Sequence, residues 1–229
     1  MREIVFDTET TGLNPKAGDR LVEMGCVELV NRCETGRTFH AWYNPDRDMP
    51  AEAEAVHGLS AKFLADKPRF REGVDAFLDF IGDAPLIAHN ASFDFGFLNA
   101  ELAFCDRPIV DPKRMVDTLA IARTRHPGAK HSLDALCSRY GIDRSHRVKH
   151  GALLDAQLLA QLYVELMGGR QIGLMLPAEE SAGGPAPLAG TDVVPATVRA
   201  IRSFRASPEE LARHAAFVAK LVDPLWEHG

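Results

Sequence analysis

Three short stretches of this chain carry residue types suited to metal-assisted hydrolysis. The first is Phe6-Asp7-Thr8-Glu9-Thr10-Thr11-Gly12, where an apolar run ends in two carboxylates one residue apart. On a strand, alternate residues share a face, so Asp7 and Glu9 project together. Like charges held that close raise one another's pKa unless a cation lies between them. An isolated pair of this kind is more often a solvated strand end, and it becomes half of a metal site only if other carboxylates join it. His89-Asn90-Ala91-Ser92-Phe93-Asp94 and His150-Gly151-Ala152-Leu153-Leu154-Asp155 supply them. Asp94 falls where a short apolar strand passes into a helix, and Asp155 interrupts an otherwise apolar helix side. Ligands gather at such ends in open α/β sheets, so Asp94 and Asp155 can converge on Asp7 and Glu9. Asp117, in Val116-Asp117-Thr118, is a further candidate, although an acid there more often caps the following helix.

Four carboxylates in one place suit hard, oxygen-preferring ions, Mg²⁺ or Mn²⁺, rather than zinc. Two such ions roughly 3.5–4 Å apart can clamp a phosphodiester, one activating water and the other stabilising the leaving oxygen. His150 then has a role as general base. Five residues of ideal helix turn through about 500°, which leaves His150 and Asp155 roughly 140° apart. The two can serve one site only if His150 precedes the regular helix.

The elements that must position these groups follow from patterning. Residues 4–9 read as a strand. Residues 20–30 and 37–43 read as a hairpin turning across 31–36, and 51–56 as a short helix ending at His57-Gly58. Strand and helix then alternate. Helices are expected over 71–81, 93–104, 132–140 and 152–167, and short strands at 85–90 and from 115. Ser132 can cap one helix and Gly141 can stop it. A hairpin followed by alternation gives an α/β sheet with helices on its faces. Residues 177–195 lack periodic apolar signal and read as a flexible linker. Ser207-Pro208-Glu209-Glu210 then opens an amphipathic helix with a capping box.

With 229 residues, 46% hydrophobic and 25% charged, the chain can bury a sizeable globular core. No apolar run approaches the roughly 20 residues of a membrane helix, and no signal peptide precedes the first strand. The four cysteines are scattered without a C-x-x-C pair, so a reduced cytoplasmic protein with no membrane attachment is expected. A net charge of −6 argues against strong autonomous binding to nucleic acid. Between Arg123 and His150, however, seven arginines and lysines face only Asp134 and Asp143.

Taken together and in this order, the three acidic stretches resemble the exonuclease motifs of the DEDDh 3′–5′ exonucleases, above all the proofreading subunits of bacterial replicative polymerases. The similarity extends through Ser132-Leu133-Asp134-Ala135-Leu136-Cys137 and the tailed C-terminus. The histidine five residues ahead of Asp155 excludes the relatives that carry a tyrosine three residues ahead of the last aspartate. The resemblance implies a ribonuclease-H-like fold with a mixed five-stranded sheet flanked by helices. It implies an exonuclease domain over 1–170, with Asp7, Glu9, Asp94 and Asp155 holding two Mg²⁺ or Mn²⁺ ions and His150 as the base. Thr8, Gly12, Leu13, Glu52, His57 and Phe93 would join Asp7, Glu9 and Asp155 around a DNA 3′ end, single-stranded or frayed. Residues 171–176, with Gln171, Leu174 and Leu176, are similar to a sliding-clamp binding pattern. A linker over 177–196 would tether a segment, 197–229, that binds the polymerase catalytic subunit, and a small accessory subunit is left open. The competing readings are an exoribonuclease that trims RNA 3′ ends, which would not need the tail, and a non-catalytic bridging subunit.

Overall fold

The computed structural model describes residues 1–147, 149–169 and 206–220. The chain divides into two units, Met1–Leu176 and Pro177–Gly229. Gln171, Leu174 and Leu176, the linker 177–196, and the tail outside 206–220 lie outside the described residues.

The first unit is built on a five-stranded mixed sheet: β1 (Arg2–Thr10), β2 (Leu21–Val30), β3 (Cys33–Trp42), β4 (Leu86–Ala88) and β5 (Met115–Asp117), in the order β3-β2-β1-β4-β5. β1 is antiparallel to β2 and parallel to β4, so it sits at the centre with both edges paired. The helices are α1 (Ala51–His57), α2 (Ala61–Leu64), α3 (Phe70–Ile81), α4 (Ala91–Phe104), α5 (Thr118–Arg125), α6 (Leu133–Tyr140) and α7 (Ala152–Leu166). No described helix is long and apolar enough to cross a membrane.

Strand alternation decides which core each β1 residue enters. Ile4 and Phe6 pack with Phe77 of α3 and Phe95 and Leu98 of α4, whereas Val5 packs with Leu159 and Tyr163 of α7. Continuing the alternation, Thr8 falls on the α4 side, and Asp7 and Glu9 on the α7 side. Glu3 obeys the same rule, accepting the Tyr163 hydroxyl at 2.8 Å.

The hairpin is tighter than its sequence suggests. Val30 pairs with Cys33, so only Asn31 and Arg32 form the turn, at φ 51° and 63°. Positive φ at both central residues matches the right-handed strand twist, and β3 therefore begins at Cys33 rather than at residue 37. The short helix α2, capped by Ser60, has no counterpart among the expected elements. In the second unit, α8 (Pro208–Val218) carries the expected capping box: Ser207 Oγ accepts from the Glu210 amide at 3.2 Å, and Glu210 accepts from the Ser207 amide at 2.8 Å.

Candidate active site

Three local devices bring the acidic stretches together. The first is Gly25 on β2, paired with Asp7 on β1. A Cβ at Gly25 would stand 2.2–2.3 Å from the backbone of Ala152 and Leu153. Only glycine lets the start of α7 lie on the sheet there, and this approach carries Asp155 to Asp7 and Glu9. The second is Asn90, which turns from β4 into α4 through a left-handed conformation (φ 66°, ψ 49°) that asparagine tolerates. Asp117 braces that turn, accepting from the Asn90 amide at 3.0 Å, and it caps α5 by accepting from the Leu119 amide at 2.9 Å. Asp117 is thus a positioning acid and Asp94, in the first turn of α4, is the one presented. The third is a register shift between β1 and β2 after Glu9, an irregularity that re-aims the chain leaving the strand.

The result is a cleft of about 780 Å³ lined by Asp7, Glu9, Asp94, Asp155 and His150, together with Thr8, Gly12, Leu13, Glu52, His57 and Phe93. Every candidate residue up to position 155 except Asp117 therefore opens onto one space. Asp94 and Asp155 are each 3% exposed and Glu9 is 8% exposed. His150 sits ahead of the first turn of α7 and its Nδ1 lies 3.3 Å from Asp155 Oδ2. Glu9, His150 and Asp155 each present a donor atom within 4.8 Å of the others. Thr8 is committed differently from the rest: its hydroxyl donates to Asp94 Oδ1 at 2.7 Å, from the α4 side that alternation assigns it. A Cβ at Gly12 would meet the Asp19 carboxylate at 2.4 Å, so a larger residue there would displace the Asp19 side chain. Leu13 stands at the rim, 83% exposed.

Crowding of these acids is written into their protonation. Burial raises the Asp7 carboxyl well above the usual carboxylate range, and the charges of Asp94, Glu9 and Asp155 raise it further. Burial, then Asp155, Glu23 and Asp94, push Glu9 up to about 8. Asp94 is raised by burial to about 7, although the Thr8 hydroxyl and nearby backbone amides oppose the shift. Arg147 lowers both Asp7 and Glu9. Carboxylates this reluctant to ionise are the donor set that a hard divalent cation would relieve, and their oxygens could hold one.

Two members of the site carry no clear signal in the sequence. Gly25 shows only as a lone glycine inside a strand pattern, a mark of close backbone approach. Arg147 is one cation among seven in its stretch, yet its Nε and Nη2 meet both Asp155 oxygens at 2.5 and 2.7 Å.

Comparison with known proteins joins this geometry to a family. A family described as Exonuclease matches residues 4–163. DNA polymerase III subunit epsilon of Rickettsia conorii is 46% identical over 225 residues, covering 97% of each chain. The subunit of that name from Escherichia coli is 44% identical over 227 residues, covering 94% of this chain and 91% of its own. The chain belongs to the DNA polymerase III epsilon family of 3′–5′ exonucleases. Among solved structures, Exonuclease X in complex with 5′ overhanging duplex DNA matches with a TM-score of 0.57 and 25% identity, over 72% of this chain and 90% of that one. The nuclease domain of 3′hExo, a DEDDh family member bound to rAMP, shares the fold: TM-score 0.64, 16% identity, 73% of this chain and 92% of that one. Members of this exonuclease family use divalent metal ions.

Proposed function

We propose that this exonuclease removes misincorporated 3′-terminal nucleotides from DNA as the proofreading subunit of a replicative polymerase in the cytoplasm. Two Mg²⁺ or Mn²⁺ ions would be held by Asp7, Glu9, Asp94 and Asp155. The observation that carries this reading is the convergence of four carboxylates, from three separate stretches, beside His150 in one cleft, with Glu9, Asp94 and Asp155 buried and Asp7 half-buried. Divalent ions bound there supply activation of the attacking water and charge stabilisation at the leaving oxygen.

The chain's own residues do the rest. His150, with its side chain 49% exposed, stands at the cleft beside Asp155 and takes the proton of the attacking water. As the water oxygen bonds to phosphorus, the P–O3′ bond breaks: O3′ stays on the shortened strand and takes a proton from solvent to become its new 3′-hydroxyl, and the terminal residue leaves as a 5′-mononucleotide. Thr8 fixes one Asp94 oxygen and so orients the other. Gly12, Leu13, Glu52, His57 and Phe93, with the backbone at Thr8, form the seat of the terminal nucleotide. Unpairing is easiest at a mismatch, which selects errors without reading the base.

Relatives named as subunits of DNA polymerase III support assembly with a polymerase. In the tail, Leu211 and Phe217 of α8 are each 58% exposed, apolar side chains available for docking on the polymerase catalytic subunit. Gln171, Leu174 and Leu176 would engage the sliding clamp, and the linker would make cleavage effectively intramolecular with the primer end.

Digestion of matched DNA, mismatched DNA and RNA 3′ ends by the purified chain tests this function. Mismatched DNA should be degraded fastest with Mg²⁺, and nothing should be degraded in EDTA. Preference for RNA would make the protein an RNA trimmer, and no digestion at all would leave only a bridging role. A chain truncated at residue 177 should keep nuclease activity and lose polymerase in a pull-down. The same pull-down reports any small accessory subunit.

A further inference from the structure

Among the described residues lining the cleft, Arg147 is the one arginine or lysine. Its Nε and Nη2 donate to Asp155 Oδ1 and Oδ2 at 2.5 and 2.7 Å, and Nη1 donates to Asp134 Oδ1 at 2.9 Å. Nη2 also lies 2.9 Å from Nδ1 of His150. The arginine side chain is 9% exposed and that of Asp155 is 4% exposed, whereas that of Asp134 is 47% exposed. The guanidinium thus spans both oxygens of a buried carboxylate while resting one edge on a second, wetter one.

We propose that Arg147 is a cationic latch that competes with divalent ions for Asp155 and swings toward Asp134 when an ion binds. The inference rests on the reading of Asp155 as a metal ligand. An ion on Asp155 needs a lone pair that now receives an N–H, and two cations over the same buried carboxylates repel strongly where water is scarce. Ion and guanidinium therefore oppose each other at Asp155, a negative coupling. The guanidinium has somewhere to go. Asp134 already holds Nη1 and faces solvent, and Arg144 anchors the same segment to Asp134 at 2.9 Å. Leaving Asp155 also takes Nη2 off His150, so one movement opens a ligand oxygen and uncovers the base. The latch would keep the carboxylates neutralised and the base occupied until ions and substrate arrive together.

Mn²⁺ binding to the full-length protein without DNA, read by electron paramagnetic resonance, tests the latch. Arg147→Gln should bind Mn²⁺ roughly tenfold more tightly than wild type, equivalent to about 1.4 kcal/mol. Arg147→Lys keeps the charge but cannot span both oxygens, and should fall between the two. Equal or weaker binding by Arg147→Gln overturns the latch. Asp155→Asn is the control for the underlying site: if it binds Mn²⁺ as wild type does, or neither wild type nor Arg147→Gln binds any, the metal reading falls and takes the latch with it. A second measurement needs only the wild type. The Arg147 Nε–H resonance, assigned by its loss in Arg147→Lys, should move on saturation with Mg²⁺. A resonance that stays in place while Mg²⁺ binds also overturns the latch.

Discussion

Asp94 and Glu101 lie seven residues apart on α4, about two helical turns, so they share one helix face. They are 3% and 2% exposed, yet the protein treats them in opposite ways. Glu101 receives a bidentate guanidinium from Arg20, Nε to Oε1 and Nη2 to Oε2 at 2.7 Å each, and Oε1 also accepts from the Leu21 amide at 3.2 Å. That carboxylate ties α4 to the start of β2, and its charge is answered inside the fold. Asp94 receives a neutral hydroxyl, which opposes but does not cancel the effect of burial, and it stays raised to about 7. A buried carboxylate with its own arginine is structural. A buried carboxylate left among its own kind marks the place where a cation from outside is expected. Asp155 lies between these cases, because Arg147 holds it from a segment with a second acid to fall back on.

The most severe way to break the contrast is at the crowded end. Asp7→Asn should abolish Mg²⁺-dependent digestion of 3′ ends, measured by release of mononucleotides. Because it removes one of the mutually repelling charges, it should also raise the melting temperature in EDTA. Substantial residual activity, or a destabilised protein in EDTA, would mean that Asp7 belongs with Glu101 as a structural acid. Next comes the base: His150→Ala should slow turnover by roughly 10²–10⁴-fold, and an unchanged pH–rate profile would exclude the role. At the paired end the loss falls on stability. Arg20→Ala leaves Glu101 buried without its partner and should cost about 3–5 kcal/mol in urea unfolding. Turnover per folded molecule should stay close to wild type.

The α/β alternation, the capped starts of α6 and α8 and the four candidate acids were legible because each depends on local spacing. Ser132 accepts from the Ala135 amide at 3.3 Å and Gly141 ends α6 at φ 67°, as their types imply. The two-residue turn at Asn31 and Arg32 was not legible, since arginine at positive φ follows from the strand pairing around it and not from its own preference. The same holds for Arg147. Its partners lie 8 and 13 residues away, and nothing in a run of basic residues distinguishes the one that turns inward. Gly25 needed a partner 127 residues on, Ala152, to reveal why no side chain fits there. Local rules read the parts of this site, and only tertiary contact shows which of them are spent on one another.

The gentlest test of the comparison is pH. The raised carboxyls mean that the folded protein, without divalent ions, binds protons that the unfolded chain has released. For Glu9 the window runs from its ordinary 4.5 to about 8, and for Asp94 from 3.8 to about 7. Below these windows both states are protonated and the repulsion is absent. Within them the unfolded state binds fewer protons, so stability falls as pH rises. Melting temperature in EDTA should therefore decline from about pH 5 to about pH 8. Mg²⁺ favours the ionised carboxylates and should flatten the decline, most at the alkaline end, where the crowding is fully charged. Asp7→Asn should flatten it without Mg²⁺, and Arg20→Ala should lower the whole curve without removing the slope. A slope that Mg²⁺ and Asp7→Asn both leave unchanged would place its origin outside the cleft, and the crowded acids would then be no more strained than the paired one.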